Sequence, residues 1–210
     1  RVRELSGRGR TLRETVLGPR ATAPSDAGTR SGAVDRRPSE AELIDRVIPA
    51  IVRSLDSTSS PDVSGAGIVA LAKIGRIHPS IDVPAQFENR LGRGSLEVRE
   101  TAALTLGLCG LAEVFEDLVQ LATDSGAGRK LAGRTPIEER VRAFALYGLG
   151  LAARSSADVT VKRRVFAIAS AVLDERTLAD RDVAAAAVHT IGVLALDAGV
   201  AEQKRLLWES

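Results

Sequence analysis

Four segments of the chain repeat one arrangement of apolar and small residues. Aligned without gaps, these ten-residue segments begin at Ala66, Val98, Val141 and Val183. Each has alanine at its fifth position and glycine at its tenth, namely Ala70, Ala102, Ala145 and Ala187, and Gly75, Gly107, Gly150 and Gly192. Because positions i, i+4 and i+8 lie on one side of a helix, the pattern predicts four helices. The small residues predict that a neighbouring helix packs closely against each of them.

The spacing of the four segments predicts repeats that are built from two helices. The glycines are 32, 43 and 42 residues apart, and two of these intervals are typical of two-helix repeats. We call the four predicted helices the A helices and the helices that follow them the B helices. The candidate B helices are 85–91, 112–122, 161–173 and 200–208. An amphipathic segment, 40–55, predicts a further helix, either the B helix of an earlier repeat or an N-terminal cap.

Cap signals precede several of these helices. Segments 39–42, 135–138 and 177–180 have the form of a capping box, in which the first side chain accepts from a backbone amide of the first turn. Ser60 and Thr135 each stand before a proline, and proline is favoured at the first position of a helix. These signals predict helix starts near residues 40, 61, 136 and 178.

Two of the copies resemble HEAT repeats. The resemblance is carried by segments 95–110 and 139–150, in which the matching positions of the first are Val98, Arg99, Ala102, Leu106 and Gly107. The last copy departs from this pattern with Ala184 at the arginine position, and the first copy departs with Gly67. The chain is also similar to large bacterial proteins that contain many HEAT repeats, in which a basic, glycine-rich loop precedes such a repeat.

This resemblance implies the fold. We expect an all-α chain, a right-handed α-solenoid of about four HEAT-like helical hairpins behind an irregular N-terminal arm. The expected repeats are 60–92, 95–123, 135–174 and 178–209, with the helix 40–56 before them. The resemblance also implies that Arg99 and Arg142 pair with acidic or carbonyl groups of neighbouring repeats. HEAT families bind partners far more often than they catalyse reactions, although a fold does not determine a function.

Charge divides the chain into two parts. Residues 1–38 carry nine arginines and four acidic residues, whereas residues 39–210 carry 20 basic and 23 acidic side chains. The arm has no aromatic residue, and such a segment buries too little apolar surface to offset the entropy of ordering it. We therefore expect an extended or disordered basic arm over 1–38 and a helical domain over 39–210. Because the chain begins with Arg1, we also expect that residue 1 is not the translation start.

The chain has few residues for metal or cysteine chemistry. Its one cysteine, Cys109, stands in an apolar column of the repeat, and its two histidines are His78 and His189. We expect a buried, inert thiol, a histidine beside the end of the first A helix, and a histidine on the flank of the last. The longest uncharged apolar stretch, 183–196, is shorter than the roughly 20 residues of a membrane-spanning helix. The sequence therefore predicts no cofactor, no metal site and no membrane span.

The candidate binding residues are mostly basic. The long connection 124–140 contains Gly126, Gly128 and Gly133, and its composition indicates either a solvated connector or a basic patch for an acidic or phosphate-bearing partner. The candidates are Arg129, Lys130, Arg134 and Arg140 on this connection and the following helix, and Lys162 and Arg163 on a predicted B helix. At the other end of the chain, we expect Leu206, Leu207 and Trp208 to pack on the preceding repeat or on another chain.

These features predict a non-catalytic scaffold that mediates protein–protein interaction or assembly, with its binding surface on the B helices. One alternative is binding of nucleic acid or another polyanion through the basic arm and the 129–142 region, with an affinity that falls steeply in salt. The other alternative is a HEAT-like enzyme of the lyase or glycosylase type, which would need a pocket where aromatic and acidic groups converge.

Overall fold

The computed structural model describes residues 38–75, 78–110, 114–174 and 180–194, and all regular structure in these ranges is helical. The first helix, α1, consists of Glu40–Glu42, a π-helical turn at Leu43–Val47, and Ile48–Ser57. The others are α2 (Pro61–Ile74), α3 (Val83–Arg93), α4 (Leu96–Cys109), α5 (Phe115–Ala122), α6 (Gly126–Ala132), α7 (Glu139–Ser155), α8 (Val159–Asp174) and α9 (Arg181–Val193). The expected arm up to residue 37, the predicted helix 200–208 and Trp208 lie outside the described residues.

The four predicted A helices are helical, and they form a row. Helix α2 packs on α4, α4 on α7, and α7 on α9. Helices α3, α5 and α8 lie at the first three predicted B helices, and α1 lies at the further predicted helix 40–55. Each of these four helices packs mainly on the next A helix of the chain. The core lies between the two sets of helices, where Phe87, Leu106, Leu118 and Leu146 are fully buried. The all-α prediction is therefore confirmed for the described residues.

Side-chain caps begin most of the helices. The Ser39 capping box is present, since the Ser39 hydroxyl accepts from the Glu42 amide and the Glu42 side chain accepts from the Ser39 amide. Ser60 caps α2 with Pro61 at the first position, as predicted. The prediction at Thr135 is wrong, because α7 begins at Glu139 and the Thr135–Pro136 bond, which is cis, lies in the connection before it. Thr177 lies outside the described residues.

The glycine column has three different environments. A Cβ atom at Gly107 would overlap with the backbone of Gly148 on α7, and one at Gly150 would press against Val193 and Thr190 on α9, so close packing is confirmed at these two positions. Gly75 instead ends α2 in a left-handed conformation (φ +58°) that glycine adopts without strain. Gly192 has no described atom of another element within 4 Å of its Cβ position. At Gly75 the contact with α4 is an ordinary one, since a Cβ atom there would lie 3.7 Å from the Cys109 carbonyl oxygen, and at Gly192 close packing stays a prediction.

The predicted connection 124–140 contains a helix. Helix α6 begins after Ser125, whose hydroxyl accepts from the Gly128 amide, and ends at Gly133 in a left-handed conformation (φ 62°). Gly128 is buried, and a Cβ atom there would overlap with the Gln120 backbone. The glycines that suggested an irregular connector serve instead as a close contact and as a helix end. Helix α6 packs on both α3 and α5.

Candidate interaction surface

Three of the predicted basic binding residues form ion pairs within the domain. The Arg129 guanidinium donates two hydrogen bonds to Asp124, at 3.0 and 2.7 Å. Arg140 donates to the buried Glu100 at 2.9 Å, and the Arg134 Nε atom lies 3.5 Å from Glu138 Oε1. The positive charge of the 129–142 region is thus largely balanced by its own acids, which weakens it as a site for a polyanion.

Asp124 organises the connection between α5 and α7. Its backbone is left-handed (φ 48°), and its Oδ1 atom accepts from the Ile137 amide at 3.0 Å in addition to the Arg129 bond. The ion-paired hydrogen bond from Arg129 lowers the pKa of the Asp124 carboxyl, with a further contribution from the Ile137 amide, against the opposing effect of burial. One carboxylate therefore holds both ends of the segment that contains α6.

The two arginines of the HEAT-like pattern make contacts of the kind that the resemblance implies. Arg99 is buried; its Nη1 atom donates to the Gly94 carbonyl oxygen at 2.6 Å, and its Nη2 atom donates to Glu138, just before α7. The Arg142 Nε atom donates to the Ala122 carbonyl oxygen at the end of α5, at 3.2 Å. Both arginines thus join α7 to the helices that precede it.

The remaining predicted residues lie elsewhere. Lys130 is exposed on α6 and Arg163 is exposed on α8, whereas Lys162 is half-buried. Their neighbour Arg164 pairs with Glu116 at the N-terminal end of α5, and the hydrogen bond from Arg164 lowers the pKa of that carboxyl. Because Asp124 follows the C-terminal end of α5, the 162–164 cluster and the Arg129 cluster lie at opposite ends of this helix.

A polar groove that the sequence analysis missed lies at the ends of the first four helices. Its volume is about 440 Å³. The C-terminal ends of α1 and α3 and the N-terminal ends of α2 and α4 form its walls, which are lined by Leu55, Asp56, Thr58, Ser59, Pro61, Ser64, Asn89, Arg90, Arg93, Gly94, Ser95 and Val98. The residues are dispersed over 44 positions of the chain, so no local motif marks the groove.

The groove contains two arginines that differ in their contacts. Arg90 donates to the Gln86 amide oxygen at 2.9 Å and to Asp56 at 3.4 Å, a long contact with an exposed carboxylate. Arg93 is exposed and makes no ion pair or hydrogen bond within the described part of the chain. Asn89 is also exposed and makes no hydrogen bond there. The groove therefore presents one guanidinium and one carboxamide that are available to a ligand.

The corresponding place in the next repeat is filled by α6. This helix lies against the C-terminal ends of α3 and α5: the Gly133 Cβ position is 3.3 Å from the Gly92 carbonyl oxygen, and Gly128 packs on Gln120. The connection that carries α6 spans residues 123–138, whereas the connections 58–60 and 94–95 at the groove are too short to hold a helix. The groove between α1 and α3 thus corresponds to the space between α3 and α5, which α6 fills.

A second, more apolar cavity of about 360 Å³ lies between the C-terminal ends of α4 and α7 and the N-terminal ends of α5 and α8. Its apolar walls include Leu106, Val114, Phe115, Leu118 and Val161. The guanidinium of Arg164 lies 5.3 Å from the centre of the Phe115 ring, at one side of this cavity.

The cysteine and both histidines have structural contacts. Cys109 is buried, as predicted, and its thiol contacts the Leu106 carbonyl oxygen. His78 accepts from the Ser80 amide at Nδ1, so Nε2 carries the proton that is donated to the Ile44 carbonyl oxygen at 3.0 Å. His189 is exposed on α9, edge-on to Tyr147. No cluster of three metal-ligating side chains occurs in the described ranges.

Comparison with known proteins adds no relative: no family model, no curated protein and no solved structure matches the chain. None of the described helices is both long enough and apolar enough to cross a membrane. The function proposed below therefore depends on the residues and the geometry of this chain.

Proposed function

We propose that the chain is a HEAT-like α-solenoid that acts as a non-catalytic scaffold, and that it binds a carboxylate-bearing segment of a partner protein in the groove between α1 and α3. The row of A helices supports this proposal, because each helix packs on its neighbours in chain order, as in repeat proteins. Such stacking presents the ends and outer faces of the B helices along one surface.

The observation that carries the proposal is that the groove between α1 and α3 is open, whereas the equivalent space between α3 and α5 is filled. Between α3 and α5 the space at the helix ends is occupied by α6, a seven-residue helix with one basic side chain paired to Asp124. Between α1 and α3 the equivalent space of about 440 Å³ is open. A short segment of another protein has the size to fill this groove, just as α6 fills the space between α3 and α5.

The charges in the groove define the chemistry of the partner segment that would bind there. Arg93 has no acidic partner among the described residues, and the contact of Arg90 with Asp56 is long and solvent-exposed. The N-terminal ends of α2 and α4 also open into the groove, and helix N-termini favour anions. An aspartate or glutamate of the partner would form a charge-assisted, bidentate pair with Arg93.

The experiment is affinity capture from cells of the native source with matched charge-reversal variants. The bait proteins are the wild-type chain, the groove variant Arg93→Glu, and the control variant Arg163→Glu, which reverses an exposed arginine on α8 that pairs with no described residue. After nuclease treatment, we expect one discrete protein to be retained by the wild-type and control baits and to be reduced at least tenfold on the groove variant. Circular dichroism checks that all three baits are equally folded.

Two other outcomes would argue against binding in the groove. Equal retention by the groove variant and the wild type would refute binding at Arg93. Capture of nucleic acid that neither variant weakens selectively, and that is lost on raising the salt, would favour the polyanion alternative, in which the basic arm and the 129–142 region bind. A photo-cross-linking residue at Asn89 locates the contact directly, since the groove proposal requires the partner to be cross-linked from this position.

A further inference from the structure

One face of α9 is exposed although its counterparts in the other A helices are buried. Val188 occupies the repeat position of Leu71, Ala103 and Leu146. The relative exposures of these three residues are 1%, 0% and 0%, whereas that of Val188 is 60%. The neighbouring column behaves in the same way, since Ile68, Glu100 and Ala143 are buried and Ala185 is exposed.

The glycine column completes this face. Gly107 and Gly150, which lie inside their helices, are buried, whereas Gly192 is exposed; Gly75, which ends α2, is exposed as well. Ala185, Val188 and Gly192 are spaced i, i+3 and i+7, so they lie on one side of the helix. We call this surface the α9 end face.

In the earlier repeats, the equivalent face is covered by the next A helix. Gly148 of α7 lies against Gly107 and the Ala103 carbonyl oxygen, and Thr190 of α9 lies against Gly150. The α9 end face therefore continues an interface that the chain already makes between α4 and α7 and between α7 and α9. It keeps the glycine that allows close approach, with no described helix against it.

We propose that a second copy of the chain covers this face through α9, in an antiparallel pair with a two-fold axis near Val188. The face is self-complementary about that axis, because Ala185 and Gly192 flank Val188 on either side. In an antiparallel pair, each Ala185 lies opposite Gly192 of the other copy. Small residues opposite small residues allow the two helices to approach closely, as Gly107 and Gly148 do within the chain.

The other end of the row disfavours a head-to-tail arrangement. Gly148 of α7 and Thr190 of α9 lie against Gly107 and Gly150, and both are buried, as is Thr105 at the same repeat position of α4. In α2 this position is Lys73, which is exposed. If α2 of one copy packed on α9 of another, a lysine would have to be buried against Gly192. The symmetric arrangement avoids this cost.

The size of the face sets the strength of the association. Helix α9 has 13 residues, and one pair of such helices buries less than the roughly 1,200 Å² that stable complexes need. We therefore expect a weak dimer with a dissociation constant of about 10–100 μM, in the range of small transient interfaces.

Sedimentation velocity of the whole chain between about 5 and 500 μM tests this proposal. The wild type is expected to shift from monomer to dimer across this range. Val188→Glu should remain monomeric, because the substitution places two carboxylates at the two-fold axis. The matched control is Val63→Glu on α2, an exposed valine at the other end of the row, and it should dimerise as the wild type does.

A cysteine pair tests the geometry. Val188→Cys should form a disulfide-linked dimer under mild oxidation, whereas Asp182→Cys, at the exposed start of the same helix, should not. A wild type that is monomeric at 500 μM, or a dimer that Val188→Glu leaves intact, would overturn the proposal. If the protein is monomeric and the thiol of Val188→Cys resists alkylation, another part of the same chain covers the face, and the second copy is again excluded.

Discussion

Two junctions between A helices have the same register in the sequence and differ in how they are held together. At the junction of α2 with α4, the repeat positions of Arg99 and Glu100 are Gly67 and Ile68. Gly67 makes its closest contact with the Leu55 side chain of α1, and a polar groove remains at the helix ends. At the junction of α4 with α7, these positions form ion pairs with Glu138 and Arg140, and α6 fills the space that corresponds to the groove.

The difference shows that two helix pairs with one sequence register can either pack closely or leave a free surface. At the second junction, the close backbone contact and two ion pairs, each with one buried partner, leave little space. At the first junction, the buried Ile68 stands at the position of Glu100, and a space of about 440 Å³ remains. We therefore expect substitutions at the second junction to affect stability strongly, and substitutions in the groove to affect binding with little effect on stability.

The largest expected effect is at Gly107. The substitution Gly107→Ala places a methyl group against the Gly148 backbone, which cannot move aside as a flexible side chain does. We expect a loss of about 3 kcal/mol in the free energy of unfolding, as for overpacked cores. For a chain of this size, the melting temperature should fall by about 6–12 °C. Chemical denaturation followed by circular dichroism measures this loss.

The matched control is Gly192→Ala, at the same repeat position in α9. No described atom of another element lies within 4 Å of that Cβ position, so the helix preference of alanine should raise the stability by up to about 1 kcal/mol. Equal effects of the two substitutions would show that contact with the next helix does not distinguish the two glycines.

This pair of glycines also shows what could be predicted from sequence. The A helices were predictable because their apolar and small residues recur at i, i+4 and i+8, and Ser39 and Ser60 are caps with local signals. What covers a glycine is not local: Gly107 and Gly192 share a pattern, yet one is buried and the other exposed. The groove was unpredictable for the same reason, because residues from Leu55 to Val98 meet there only after four helices have packed.

Helix α6 was missed for a different reason. Glycine normally disfavours helix, and three glycines in eight residues indicated a connector. Gly128 is needed for contact with Gln120, and Gly133 is needed to end the helix. Ser125 at the start and Gly133 at the end are the signals that identify this helix, and they outweigh composition in such a short segment.

An intermediate effect is expected at Arg99. Its side chain is 8% exposed, and the substitution Arg99→Ala removes hydrogen bonds to the Gly94 carbonyl oxygen and to Glu138. Breaking a buried ion pair costs several kcal/mol, but Glu138 is partly exposed and keeps Arg134, so we expect a loss of about 2 kcal/mol. Arg163→Ala is the control, at an exposed arginine without a partner in the described part of the chain, and it should change the stability by less than about 0.5 kcal/mol. Similar losses in the two variants would contradict a specific role for Arg99.

The smallest expected effect tests the carboxylate that positions α6. Asparagine tolerates the left-handed backbone of Asp124, so Asp124→Asn removes the charge and leaves the conformation accessible. We expect a loss of about 1 kcal/mol at pH 7, because the ion pair with Arg129 is lost. The coupling to Arg129 is measured by a double-mutant cycle with Arg129→Gln.

The lowered pKa of Asp124 determines how its contribution to the stability changes with pH. The pKa of Asp124 is lowered in the folded chain, chiefly by the bond from Arg129. Its contribution is therefore complete above the pKa of the unfolded chain, near 4, and is lost as the pH falls through the lower pKa of the folded chain. The difference between the wild type and Asp124→Asn should shrink between pH 5 and pH 2. A constant difference over this range would show that the charge of Asp124 is not what holds α6 in place, and the contrast between the filled and the open groove would then depend on packing alone.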